Sequence, residues 1–408
     1  MIEPRLRFKA DDGSDFPDWE EKKIASLGDM VGGGTPTTKK KEYWHGKTAW
    51  ISSADVEEND IYNINMTRFI TQEAIDNSAT KIIPKNSILI VSRVGVGKVA
   101  KAPCDLCTSQ DFTNIVDVKG DSTFLTYAVL RLMQSKLQCV QGTSIKGIPS
   151  DEIRNYIMNV PSLPEQQKIA DFLSTIDTII EKQRATVSAW EERKKGVMQK
   201  LFSQEVRFKA DDGSDFPDWE EKKLEEVSNK IKVGFVGTCD CFYVEKHGVK
   251  LYRTGNLIDG KLVDTDMKYV TRQFHEKNKK SQLKKWDILI ARHGNSGHAV
   301  LYDSDEDANC LNIVIIQPNL DLVNPRFLTN NINSSVVEKQ VYRLKGGSTQ
   351  VVLNTTAIEK IKVSIPSLPE QQKIADCLSA LDAVIEKQKE TLEKWQELKK
   401  GLLQQMFV

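Results

Sequence analysis

Four short stretches of this chain hold residue types that could do chemistry. Cys104-x-x-Cys107 and Cys239-x-Cys241 offer thiolates, Gly97-Lys98 ends like a phosphate loop, and Pro17-Asp18-Trp19-Glu20-Glu21-Lys22 has the acid–lysine makeup of a nuclease core. Each fails its own spacing rule. A structural zinc needs two properly spaced pairs in one fold, and these cysteines fall in segments far apart; His293 and His298, five apart, read as loop residues. A P-loop needs G-x-x-x-x-G-K-[ST], but Ser92 stands at the first glycine and Val99 follows Lys98. In the nuclease-like stretch the aspartate is too close to its supposed partners, and the stretch recurs unchanged at 217–222, so it reads as an exposed tether. The expectation is a chain with no catalytic residues, no metal and no cofactor of its own.

What remains is a set of loop donors suited to phosphates and base edges. Lys39, Lys40 and Lys41 lie between Gly32-Gly33-Gly34-Thr35-Pro36 and Tyr43-Trp44, and Arg292-His293-Gly294-Asn295-Ser296 follows an apolar run. Candidate DNA contacts in the first half are Thr35, Thr37, Lys39, Lys40, Ser92, Arg93, Lys98 and Lys146. In the second they are Lys232, Arg253, Asn256, Arg292, His293, Asn295, Lys345, Thr349 and Gln350. A nucleic-acid binder is usually basic, whereas 57 Lys+Arg here balance 57 Asp+Glu. The balance is uneven: residues 24–160 carry 15 basic against 14 acidic groups, residues 224–365 carry 20 against 16, and the remainder is net −5. Hydrophobic content of 39% fits an ordinary globular protein. No run approaches the ~20 apolar residues of a membrane span. The start, Met-Ile-Glu-Pro-Arg-Leu-Arg, lacks the apolar core of a signal peptide, so seven cysteines are expected to be free thiols in the cytoplasm.

The elements that must position these donors are written twice. Arg7 to Lys23, RFKADDGSDFPDWEEKK, recurs without change at Arg207 to Lys223. Pro161 to Ser203 recurs at Pro366 to Val408 with 26 of 43 positions identical. The segments between, 24–160 and 224–365, keep only traces such as ILIVSRVGVG against ILIARHGNSG and QGTSIKGI against KGGSTQVV. Segments that stayed alike do one job twice; those that diverged do two different jobs. In each variable segment two strands (87–92 and 113–118; 287–292 and 311–317) and one helix (123–138; 325–342) are expected from apolar runs and periodicity.

The repeated block reads as a long helix from Leu163, with Pro164 in its first turn. Its seam is Ile169, Leu173, Ile176, Ile180, Gln183, Val187, Trp190, Lys194, Val197 and Leu201. The second copy gives Ile374, Leu378, Leu381, Ile385, Gln388, Leu392, Trp395, Lys399, Leu402 and Met406. Alternating spacings of four and three over five heptads make a coiled-coil pattern, with the Gln and Lys positions fixing register. Two near-identical helices in one chain pair most naturally with each other, antiparallel, about a pseudo-two-fold axis.

GGGTPTTKKKEYWHGKTAWISSADV (32–56), ILIVSRVGVGKVA (88–100) and the twice-used PSLPEQQKIAD opening resemble specificity subunits of Type I restriction-modification systems. The resemblance covers essentially the whole chain in order; at VGFVGTCDCFY (233–243) the Gly-Gly-Thr-Pro loop is absent. It implies an α+β fold with two mixed α/β target-recognition domains separated by a pair of long helices. The expected division is a linker 1–23, a first domain 24–160, a spacer helix 161–203, a linker 204–223, a second domain 224–365 and a C-terminal helix 366–408. The resemblance also implies that each domain reads half of a split site on double-stranded DNA. The helices would set the gap and dock two modification subunits, each an adenine methyltransferase, with restriction subunits joining later. The methyl donor and ATP are expected on those partners: the Asn/Asp-Pro-Pro-aromatic loop of an amino-methyltransferase is missing, since the chain has no Pro-Pro. The rival readings are a scaffold whose paired domains bind proteins rather than DNA, and a stand-alone enzyme.

Overall fold

A computed structural model describes residues 4–138, 147–245, 247–258, 260–292, 298–344 and 355–407. The chain forms two compact units, Met1–Ala185 with Glu390–Val408, and Thr186–Lys389. The dividing lines fall inside the two long helices, Leu163–Phe202 and Leu368–Met406. Each unit therefore combines one variable domain with a portion of both helices.

In the first unit, one antiparallel sheet has the strand order Asp29–Gly32, Phe112–Val116, Ile88–Val91, Val99–Lys101. A second sheet orders Phe69–Ile70, Thr48–Ile51, Leu106–Thr108 and Ile82–Ile83, its central pair parallel. The strand Ile88–Val91 is buried throughout because it is covered on both faces. Its even residues Ile88 and Ile90 join the helix Ser122–Gln138 and the long helices in one core. Its odd residues Leu89 and Val91 pack with Ala49, Ile51, Leu106 and Phe112, mostly from the second sheet. This is the period of two that every strand imposes on its side chains.

The second unit repeats the first sheet and varies the second, whose parallel pair lies at the sheet edge rather than at its centre. Ser228–Val233, Ile313–Pro318, Ile288–Ala291 and Ala299–Leu301 form one sheet; Tyr243–Val244, Lys268–Val270, Val249–Tyr252 and Ala308–Cys310 form the other, again with a parallel pair. Ile288 and Ile290 face the helical core, while Leu289 and Ala291 face the second sheet. The helix expected over 325–342 is in fact two, Pro325–Ile332 and Ser335–Leu344. At the break, the Asn333 amide accepts from Ala299 N at 2.6 Å and donates to its carbonyl at 2.8 Å. This clamp holds the end of the first helix against the edge strand Ala299–Leu301.

The repeated linker is more than a tether. Glu20–Lys23 pairs with Ile157–Val160, and Glu220–Lys223 with Lys362–Ile365, immediately before each long helix. Arg7 grips the wholly buried Glu165 at 2.9 and 3.1 Å, and Arg207 grips the wholly buried Glu370 at 2.8 and 3.1 Å. Trp19 and Trp219 lie edge-on to Phe124 and Phe327.

Within each unit the two helix portions run antiparallel. In the first, Ile169 and Leu173 share a core with Leu403 and Met406, and Asp177 meets Lys399 at 2.5 Å. In the second, Leu201 and Phe202 share a core with Ile374 and Leu378, and Lys194 meets Asp382 at 2.6 Å. Ile176, Ile180, Val187 and Ile385 are buried; Leu381, Leu392, Trp190 and Trp395 are half-buried. The seam lysines thus carry the same ion pair in both units, which is how a polar seam position can specify register.

Candidate nucleic-acid interface

In the first domain, four segments converge. Gly33 N donates to Phe112 O at 3.4 Å and Gly34 N to Thr108 O at 2.8 Å, tying the glycine loop to the turn at 109–111. Ser92 N and Arg93 N both donate to Asp111 O, and Ile148 N donates to Ser92 O. The glycines allow this proximity: a Cβ on Gly33 would sit 2.1 Å from Ser109 O, and one on Gly34 2.5 Å from Ala79 C. Gly33→Ala is therefore expected to cost about 1–3 kcal/mol by overpacking. Gly32→Ala meets nothing within 4 Å and is expected to stay within about 0.5 kcal/mol of the parent; urea unfolding of both variants checks the contrast.

The loop so held presents Thr35, Thr37, Lys39 and Lys40, all exposed, with Arg93 exposed beside it. The Thr35 hydroxyl donates to the Gln110 side chain, an exposed group that the sequence did not single out. Lys40 donates to Tyr43 Oη at 3.0 Å and lies over its ring. Two other candidates are turned inward. Ser92 is buried and donates to Asp111 O at 3.1 Å. Lys98 is half-buried, with its ammonium on Ser53 O and Val56 O at 3.3 and 2.9 Å. Ser92 thus ties into the turn at 109–111, and Lys98 into the turn at 53–56. Lys146 lies outside the described residues.

The second domain keeps the scaffold and changes what it presents. Gly234 takes the close approach, its would-be Cβ 2.4 Å from Cys310 Sγ, and Phe235 N donates to Cys310 O at 2.9 Å. The loop beyond it exposes Val236, Gly237 and Thr238 in place of a lysine run. Lys232 reaches toward Gln282 O at 3.5 Å, and burial lowers its pKa beside Asp287, whose own pKa burial raises. Asn256 is buried, donating to Val263 O and Thr265 O, and Arg253 is bound to Asp266 at 2.8 Å. Asn256 is turned inward, while Lys232 and Arg253 are half-buried. Arg292 is half-buried, its Nε unpartnered among the described residues. His293, Asn295, Lys345, Thr349 and Gln350 lie outside the described residues.

Both domains, each with its linker strand and part of a long helix, match the Type I restriction modification DNA specificity domain, over residues 17–187 and 217–394. The chain belongs to this family. Among its relatives, the specificity subunit of the Type I restriction enzyme MjaIX of Methanocaldococcus jannaschii is 28% identical over 403 residues, covering 94% of this chain and 92% of that protein. The EcoR124I/EcoR124II specificity subunit of Escherichia coli is 30% identical over 170 residues, 39% of this chain and 41% of its own. In fold, the chain is similar to the S subunit of a Type I restriction-modification system from M. genitalium, with a TM-score of 0.56 at 18% identity over 100% of this chain and 99% of that one. Members of this family are named for specificity rather than for a reaction, in keeping with the missing catalytic motifs. Among the described residues, no helix is long and apolar enough to cross a membrane.

Proposed function

We propose that this chain is the DNA-reading subunit of a Type I restriction-modification enzyme, each variable domain reading one half of a bipartite site. The observation that carries this reading is one scaffold used twice with different loops. The two domains share the strand order of the first sheet and a parallel pair in the second, central in one domain and at the sheet edge in the other, yet one presents Thr35 to Lys41 and the other Val236 to Thr238 from the same place. In the first domain, lysines and Arg93 would hold phosphates, while Thr35 with Gln110 would meet base edges. The paired helices would set the gap and dock two modification subunits, which bring the methyl donor; restriction subunits, bringing ATP, would join that assembly.

A gel shift with the modification subunit present tests the reading. Sequence-selective binding that weakens steeply with salt supports it, and binding indifferent to both sequence and salt contradicts it. The pure chain, incubated with DNA and labelled methyl donor, is expected to transfer nothing; donor-dependent methylation by this chain alone would overturn its role as a non-catalytic subunit. If the helices are the ruler, half-sites sit about one turn of DNA, ~10 bp, apart centre to centre. Four residues added to both helices, between Gln183 and Val187 and between Gln388 and Leu392, then lengthen the gap and leave both half-sites unaltered. An unchanged gap in an active variant means that the helices do not measure it.

A further inference from the structure

The exposed segment around Thr35 in the first domain is fastened at a foot on either side by aromatic and hydroxyl donors, in addition to the backbone bond from Gly34 N to Thr108 O. At the first foot, the buried Trp50 donates its indole N–H to Gly34 O at 2.9 Å, and the buried Thr80 hydroxyl donates to the same oxygen. At the second foot, the half-buried Trp44 donates its indole N–H to Thr37 O at 3.2 Å. The two indoles lock edge to face with centroids 5.1 Å apart, and Arg68 lies 4.6 Å over Trp50, itself held by Asp55 and Ser52. Because Gly34 and Thr37 flank Thr35, both ends of the segment that presents it are set by this one aromatic block.

We infer that Trp44 is a positioning residue for sequence discrimination by the first domain, acting through Thr37 O on the placement of Thr35 and Lys39. The inference rests on the reading of that loop as a DNA contact. Its chemistry is specific to the indole N–H. A ring without it keeps the packing on Trp50 and frees the loop end. Among the described residues the second domain shows no counterpart: Phe235 and Phe242 pack against Phe274, ring to ring, and a phenylalanine ring carries no N–H donor. A loop that loses one fastening still meets phosphates, whose geometry is forgiving, but places base-edge donors less accurately, and those require near-linear bonds of about 3 Å. Loss at Trp44 therefore affects discrimination more than affinity, and in one half-site only.

The test uses the full chain assembled with its modification subunit, on duplexes carrying its site and each single base-pair change across both halves. Trp44→Phe is expected to reduce mismatch penalties about three- to tenfold, the worth of one neutral hydrogen bond, in one half-site, with the other half and non-specific binding unchanged. Thr80→Val, which removes one of the two donors on Gly34 O, is expected to flatten the same half to a smaller degree. Hydrogen exchange of amides 35–41 should accelerate in both variants while the rest of the domain keeps its protection. Penalties unchanged in both halves, or flattened equally in both, overturn the inference. Lys39→Ala separates the two levels. It is expected to weaken target and non-target binding together; no change for Lys39→Ala, Arg93→Ala and Thr35→Ala alike means that the loop does not touch DNA, and the inference falls with that reading. Weakened binding by Lys39→Ala beside intact discrimination in Trp44→Phe overturns the inference alone.

Discussion

Lys399→Met is expected to destabilise the chain by about 3–5 kcal/mol, whereas Lys194→Met, the same change at the repeat-related position, is expected to cost about 1 kcal/mol or less. The two lysines make the same bond, to Asp177 and to Asp382, but in different surroundings. Lys399 and Asp177 are only 9% and 10% exposed, while Lys194 and Asp382 are 22% and 39% exposed. Tyr127 accounts for much of the difference. It donates its hydroxyl to Asp177, and Lys399 lies 5.1 Å over its ring. In the second unit, Asn330 stands three residues beyond Phe327, as Tyr127 stands three beyond Phe124. Methionine retains the apolar stem of lysine, so the comparison isolates the charge. Removing Lys399 leaves a buried carboxylate with one neutral donor; removing Lys194 leaves one that water can reach. Thermal unfolding of the two variants reads the contrast, and equal losses would contradict it.

The same triad predicts a dependence on alkaline pH. Burial first, and then the Asp177 carboxylate, raise the Tyr127 phenol far above its ordinary range. An unfolded tyrosine ionises near pH ~10 and the folded one does not. Stability from this group is complete below that value and is lost as pH rises beyond it. Tyr127→Phe is expected to shift the alkaline limb of the stability profile; an unmoved limb means that Tyr127 ionises as freely in the fold as outside it.

A chain ending at Gln204 is expected to form a homodimer and, with the modification subunit, to methylate an inverted repeat of the first half-site. The positions that the C-terminal helix supplies to the first unit have counterparts in the first helix. Lys399 corresponds to Lys194, Leu403 to Met198, Met406 to Leu201, and Phe407, which stacks on Phe124 at 5.4 Å, to Phe202. A second copy of the shortened chain can therefore place Lys194 against Asp177 and Phe202 against Phe124, closing the core around Ile169 and Leu173. Each copy offers the same seam that it needs, the condition for a self-complementary two-fold interface. Light scattering checks the mass and methylation sequencing checks the site. A monomer that leaves every palindromic site unmethylated would show that each helix needs its non-identical partner.

The long helices were legible because five heptads repeat a signal that one heptad leaves ambiguous. The buried strands Ile88–Val91 and Ile288–Ala291 were legible as apolar runs. The second sheet of each domain was not. Phe69–Ile70 and Ile82–Ile83 are two residues long, too short for any period, and Thr48–Ile51 finds its parallel neighbour Leu106–Thr108 across more than fifty residues. In the candidate interface, the glycine loop announced itself by composition. Composition cannot say which way a polar side chain points, so Ser92, Lys98, Lys232 and Asn256 looked like surface donors until carbonyl partners were found for them. Gln110 and Trp44 were missed for the converse reason: their parts are defined by Thr35 and Thr37, which only the fold brings beside them.

Two domains on related scaffolds that each read half of a DNA site must be separable by exchange. Methylation sequencing of a host expressing this chain with its modification subunit tests that most directly, repeated with residues 224–365 replaced by the variable segment of another family member. The expected result is a bipartite motif with a fixed gap, of which the replacement alters one half and preserves the other half and the gap. A motif that is unsplit, or that the replacement leaves intact or changes in both halves, would contradict it.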